Sequence, residues 1–123
     1  MHLNILISIN LLMLEELEKN IQEFTLSGEE NLKRGRYNAS VSDFFKAIVI
    51  MCDYLIYKEI KSLPKNHNER FNFLKKYFED IYSDVSNLFE MYTKSYNLRL
   101  EQKDALNLKN YANGLKNRIF NKK

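Results

Sequence analysis

Few side chains in this sequence have a type and spacing that could do chemistry. There are two histidines, His2 and His67, and Arg70 follows the second by three residues. A second polar set, Tyr96, Arg99, Lys103 and Asp104, lies further along the chain. An imidazole titrates near neutrality and can move a proton to or from an oxygen, while a guanidinium steadies charge on a phosphate. Neither histidine stands at metal-ligand spacing from a cysteine or an acid, so no metal site is expected. The Glu-x-x-His arrangement of di-iron bundles, the glycine-rich phosphate loop and the serine nucleophile elbow are all missing. Taken as isolated residues, His67 suits a capping or solvent position and Arg99 a surface position or an ion pair. Cys52, the one cysteine, falls on an apolar helix face and reads as a buried structural thiol.

The elements that must position these groups are helices. From Tyr37 to Lys61, Val41, Phe44, Ile48, Met51 and Leu55 repeat at spacings of three and four. Phe45, Val49, Cys52, Ile56 and Ile60 form a neighbouring stripe. A helix apolar on two stripes is packed from two sides, so this one is central. Before it, a helix over about 11–34 carries Leu14, Leu17, Ile21, Phe24 and Leu32 on one stripe. Gly28 shares that stripe and marks either a close helix approach or a kink. Gly35 suits a C-terminal cap, and Asn38 or Ser40 can help to start the central helix. Pro64 ends that helix, and Asn66 or Asn68 can cap the next. The pattern from Phe71 to Tyr92 then predicts two helices, about 69–79 and 83–99, with a break near Asp80, Ser83 and Asp84. A last helix, about 102–120, buries Ala105, Leu108, Ala112, Leu115 and Ile119. The expected fold is all-α: an up-and-down antiparallel bundle of four to five helices.

The first twelve residues are set apart as an apolar segment, with a single bundle domain over 13–121. Leu3, Ile5, Ile7 and Ile9 alternate with Asn4, Leu6, Ser8 and Asn10. That period of two reads as a short strand, whose open edge would pair with the same segment of a second subunit. Two other readings fit the same residues: an extension of the next helix, or an upstream artefact ahead of a start at Met13.

The chain has 123 residues, enough for one core without staples. One proline and three glycines argue against disorder and against an all-β fold. A net charge of +3 demands no nucleic-acid partner. The charge is uneven: residues 15–30 are mainly acidic, and the tail from Lys109 is basic, an arrangement that also suits helix dipoles. With one cysteine, no disulfide forms within the chain, which fits a cytoplasmic protein. No segment reaches the roughly 18–20 apolar residues of a membrane span, so no membrane partner is expected.

Gly35-Arg36-Tyr37-Asn38-Ala39-Ser40-Val41, the long apolar helix with Ala47, the turn Pro64-x-x-His67 and the run Phe71-x-x-Leu74 resemble the HEPN domain. That family is a small prokaryotic helical bundle, and the resemblance covers about residues 14–119. It implies a homodimer without cofactor or metal. Many HEPN domains are metal-independent ribonucleases of toxin or defence systems. Others are inactive and bind a nucleotide or a partner such as a minimal nucleotidyltransferase. Active members carry an Arg and, a few residues on, a His near the start of the last helix. Here Arg99 matches the Arg, but no His follows it. Asp104 stands where the His could be, and an ionised carboxylate repels a phosphate and has no proton to give. The resemblance therefore implies a non-catalytic module that dimerises and binds a partner protein, a nucleotide or RNA. Its binding residues would come from Arg99, Lys103, Tyr96, His67 and Arg70. A ribonuclease using Arg99 and Asp104 is the alternative, and a structural bundle without a ligand site is a third.

Overall fold

The computed structural model describes residues 2–121, so the expectations that touch Met1, Lys122 and Lys123 lie outside the described residues. Five helices follow in order: α1 (His2–Lys33), α2 (Tyr37–Ile60), α3 (His67–Tyr77), α4 (Glu79–Lys94) and α5 (Gln102–Phe120). There is no strand among the described residues.

Of the readings of the first twelve residues, the helix extension is the one observed and the strand is not: these residues prolong α1, which begins at His2 rather than near Leu11. A strand needs a ladder partner, which this helical chain does not supply. Prolonging a helix already nucleated satisfies each new backbone group internally. Ile5, Leu6, Ile9 and Leu12 also stand at helical spacing, so the alternation did not discriminate between the two.

α1 stops in a Schellman motif. Gly35 has φ +72, its N–H donates to Leu32 O, and the Arg36 N–H donates to Asn31 O. The chain then turns back along α1 as α2. The two helices cross closely at Gly28, where an added Cβ would lie 2.9 Å from the Phe44 ring. Gly28 thus marks close approach, one of its two expected roles. The Ser40 hydroxyl donates to Gly28 O at 2.8 Å across the same crossing.

α2 is central, as its two stripes require. Val41, Phe44, Phe45, Ala47, Ile48, Met51, Cys52 and Ile56 are all buried. α1 covers one side and α5 the other, with α3 and α4 closing the remainder. Asn38 lies beside residues 95–100, and Tyr54 beside Phe120, so α5 runs parallel to α2 and α4 antiparallel to it. Thus α1, α2, α4 and α5 form an up-and-down four-helix frame. α3 is a shorter fifth helix laid on that frame.

Three local expectations change. α2 ends at Ile60, several residues before Pro64, because Lys61 takes a left-handed conformation with φ 58 and its N–H bonds Tyr57 O. The break between α3 and α4 falls at Phe78 (φ −142, ψ 65), not among the capping residues Asp80, Ser83 and Asp84. A turn at Phe78 lets Leu74 and Ile81 on either side both bury fully. α4 ends at Lys94, short of residue 99.

Neither Asn38 nor Ser40 caps α2 with its side chain; the cap position is Arg36. Asn38 instead clamps the α4–α5 connection. Its Nδ2 donates to Ser95 O at 2.8 Å and Leu98 O at 2.6 Å, and its Oδ1 accepts from the Leu100 N–H at 2.9 Å. Three bonds tie residues about sixty positions apart. Asn38→Ala is expected to lower stability by about 2 kcal/mol, since carbonyls and an N–H lose their partner together. Urea unfolding would measure this, and a change within about 0.5 kcal/mol, the usual range for surface substitutions, would contradict it.

Candidate functional site

The loop 61–66 returns along α2, and α3 then runs parallel to α2, with His67 beside Val49 and Ile50 and Arg70 beside Asp53. His67, the first residue of α3, thus lies about three turns back from the end of α2. Asn66 caps α3, its Oδ1 accepting from the Glu69 N–H at 2.9 Å. Because the chain reverses at Phe78, α3 and α4 pack antiparallel, and the His67 ring stands 5.3 Å from that of Phe89. Phe89 adjoins Tyr92, and the Tyr92 hydroxyl bonds that of Tyr96 at 2.8 Å. The break at Phe78 thus joins the His67 end of α3 to the Tyr96 end of α4 through an aromatic chain.

These elements enclose an open cavity of about 300 Å³. Its walls come from Phe24 of α1, Phe45, Lys46, Val49 and Ile50 of α2, His67 of α3 and Tyr92 of α4. Phe45 and Tyr92 are stacked, with centroids 4.7 Å apart and an interplanar angle of 15°. The Lys46 ammonium sits 5.5 Å over the Phe24 ring. The cavity is therefore an aromatic-walled slot with a cation on one side and an imidazole on the other. It can take a flat or branched apolar group that has an anionic or acceptor group next to it.

Arg70 is engaged within the protein. Its guanidinium grips Asp53 of α2 in a fork, Nε to Oδ1 at 2.6 Å and an Nη to Oδ2 at 3.0 Å, with both side chains largely buried. Burial holds the Asp53 carboxyl above its ordinary value, against the pull of Arg70. The other Arg70 Nη lies 2.8 Å from His67 Nδ1. A guanidinium has only donors, so Nδ1 accepts and the proton of the neutral ring is on Nε2. Burial, then the Arg70 charge, pushes the His67 pKa below its usual value, with Asp53 pulling the other way.

A base whose pKa is depressed on folding contributes stability that is present above its unfolded value, near 6.5, and lost as pH falls through the folded value. Wild type is therefore expected to lose stability on acidification from about pH 6.5, relative to His67→Gln. Parallel urea titrations would check this, and identical slopes for the two proteins over that window would contradict it.

The α4–α5 connection and the first turn of α5 hold the other expected residues. Arg99 is exposed and takes part in no ion pair among the described residues. It is nevertheless positioned, since the Asn38 clamp grips Leu98 and Leu100 on either side of it. Lys103 is exposed and reaches Glu101 at only 4.0 Å. Asp104 serves the helix start. Its Oδ2 accepts from the Glu101 N–H at 2.8 Å within a capping box. Tyr96 is exposed, and its bond to the Tyr92 hydroxyl pushes the Tyr92 pKa up to about 12, which removes Tyr92 as a base at neutral pH. The structure thus brings His67, Arg70 and, through Tyr92, Tyr96 into one neighbourhood. Arg99 lies on the α4–α5 connection, and Lys103 and Asp104 lie in the first turn of α5.

Sequence reasoning missed Asp53 and the cavity walls Phe24, Phe45, Lys46, Val49, Ile50 and Tyr92. Asp53 carried a signal, as an acid between Cys52 and Tyr54 on a helix packed from two sides. Lys46 carried a weaker one, directly following the buried Phe44 and Phe45. Among the described residues there is no cluster of metal-ligating side chains, and no helix is long and apolar enough to cross a membrane. Comparison with protein-family models, curated proteins and solved structures finds no match.

Proposed function

We propose that this chain is a non-catalytic binding module of the HEPN type, which dimerises and holds a partner protein, a nucleotide or RNA. One observation carries the reading. The groups suited to acid–base or phosphate chemistry are engaged within the protein, while an aromatic-walled cavity stands open beside them. Arg70 is paired with Asp53, His67 Nδ1 accepts from Arg70, and Asp104 caps α5. Arg99 is exposed and in no ion pair among the described residues, which leaves it able to meet a phosphate. The slot between Phe45, Val49, Ile50 and Tyr92 supports insertion of a base or an apolar side chain, with Lys46 supplying charge to an adjoining anionic group. A minimal nucleotidyltransferase is the protein partner that the family resemblance favours.

The purified chain is expected to leave RNA intact in the presence of EDTA, and Arg99→Ala is expected to behave identically. Cleavage by wild type that Arg99→Ala abolishes would replace this reading with the ribonuclease one. In the same preparation, titration with AMP or a short RNA followed by NMR is expected to move the signals of Lys46 and His67. Lys46→Ala should weaken that binding by about tenfold, as expected for loss of one charge-assisted contact.

A further inference from the structure

The first turns of α1 leave the bundle behind. α1 and α2 are antiparallel, with Gly28 opposite Ser40 and Asn10 opposite Tyr57, the last pair joined by a 2.8 Å hydrogen bond. α2 runs out at Ile60, and α5 ends at Phe120 beside Tyr54. In this register Ile60 falls opposite about Ile7, so the residues before Ile7 lack a helix opposite them and α1 projects about 7 Å past α2. On and just behind this projection, Ile5, Leu6, Ile7, Ile9, Leu11 and Leu12 are each 49–60% exposed. A helix apolar on every side is not a stable partner for water. We propose that this arm, residues 4–12, is the seam at which two copies of the chain pair antiparallel.

Charge and shape together select a second copy as the occupant. Six aliphatic side chains about half exposed leave on the order of 600 Å² of apolar surface per copy, spread around the helix, of which one seam covers the part around Ile5, Ile9 and Leu12. No Asp, Glu, Lys or Arg occurs before Glu15, so two arms meet without burying a charge. The same neutrality leaves nothing to steer a charged partner, and none of the basic residues with which a surface helix holds anionic lipid. A shallow groove runs along the arm between Asn4, Ile5, Ser8, Ile9 and Leu12, with small Ser8 at its centre. A two-fold axis at Ser8 lets the Ile9 ridge of each copy enter the groove of the other, a self-complementary contact.

This inference deepens the dimeric part of the function proposed above and rests on it. The test is sedimentation equilibrium of the full chain at micromolar concentration, for wild type, Ile9→Glu, Ile9→Lys and an equimolar mixture of the two variants. Wild type is expected to be a dimer. Each variant, with like charges flanking the axis, should dimerise about a hundredfold more weakly or worse, and the mixture should recover the dimer. The arm lies outside the core, so the cooperative unfolding of the bundle remains in both variants. If Ile9→Glu stays as tightly dimeric as wild type, the seam lies elsewhere and the dimeric reading survives without it. A wild-type monomer overturns both, and its co-sedimentation with phosphatidylcholine vesicles would reassign the arm to a lipid surface.

Discussion

Arg70→Met is expected to lose about 3–5 kcal/mol of stability, the cost of leaving a buried carboxylate without its partner. Asp53 sits on the helix that every other element packs against, and its carboxyl is gripped by two guanidinium nitrogens. Removing the guanidinium takes away both bonds while the chain around Asp53 stays closed. The double variant Asp53→Leu with Arg70→Met is expected to recover most of the loss, because an apolar pair of similar volume needs no desolvation of charge. The position of the Asp53 pKa points the same way. An acid held above its unfolded value on folding contributes stability that is present below that value, 3.8, and lost as pH rises through the folded one. At neutral pH the ion pair therefore fixes the geometry of α3 against α2 rather than adding to stability. Urea unfolding of wild type, both single variants and the double variant closes the cycle. A double variant as unstable as Arg70→Met alone would show that the pair stabilises outright.

Gly28→Val is expected to cost about 2–4 kcal/mol through overpacking, with the Ser40 bond strained as well. The added Cβ would stand 2.9 Å from two carbons of the Phe44 ring, which is itself fully buried and has nowhere to withdraw. Either the ring leaves its rotamer or the two helices separate. Separation would stretch the bond from the Ser40 hydroxyl to Gly28 O. Gly28→Ala is milder, because relief of the glycine's helix penalty, about 1 kcal/mol, offsets part of the clash. Thermal and urea unfolding of the two variants should rank valine well below alanine. Equal stabilities would mean that the crossing yields freely at this point.

The helices were legible because their information is local. The two stripes of α2, Gly35 as its predecessor's cap and the buried face of α5 all follow from spacing within a few residues. Readings stayed open or went astray where local signals tie or compete with distant ones. Ile5 to Leu12 satisfies a period of two and a helical repeat at once, and the continuity of α1 decides between them. Asp80, Ser83 and Asp84 are good capping residues, yet the break sits at Phe78, where burial of Leu74 and Ile81 sets the turn. Asn38 looked like a cap because its real acceptors, Ser95 O and Leu98 O, are invisible to any local window. The candidate site was half legible. His67 and Tyr96 were singled out by type, but the cavity beside His67 draws walls from four helices, and no single segment carries its pattern. The pairing of Arg70 was missed because its partner lies seventeen residues earlier, on a different helix.

Cys52 turns the core into its own clock. It is the one thiol in the chain, fully buried on α2, and burial pushes its pKa up to about 12. A closed protein therefore presents neither an accessible sulfur nor a thiolate to an alkylating reagent. Labelling proceeds only through openings that expose α2, so its rate at low reagent concentration reports how often the core opens. Fraying of the α1 arm should leave that rate unchanged, and loosening of the Asp53–Arg70 grip one residue away should raise it. The unmodified protein thus already carries a chemical reporter that separates motion at its periphery from motion at its centre.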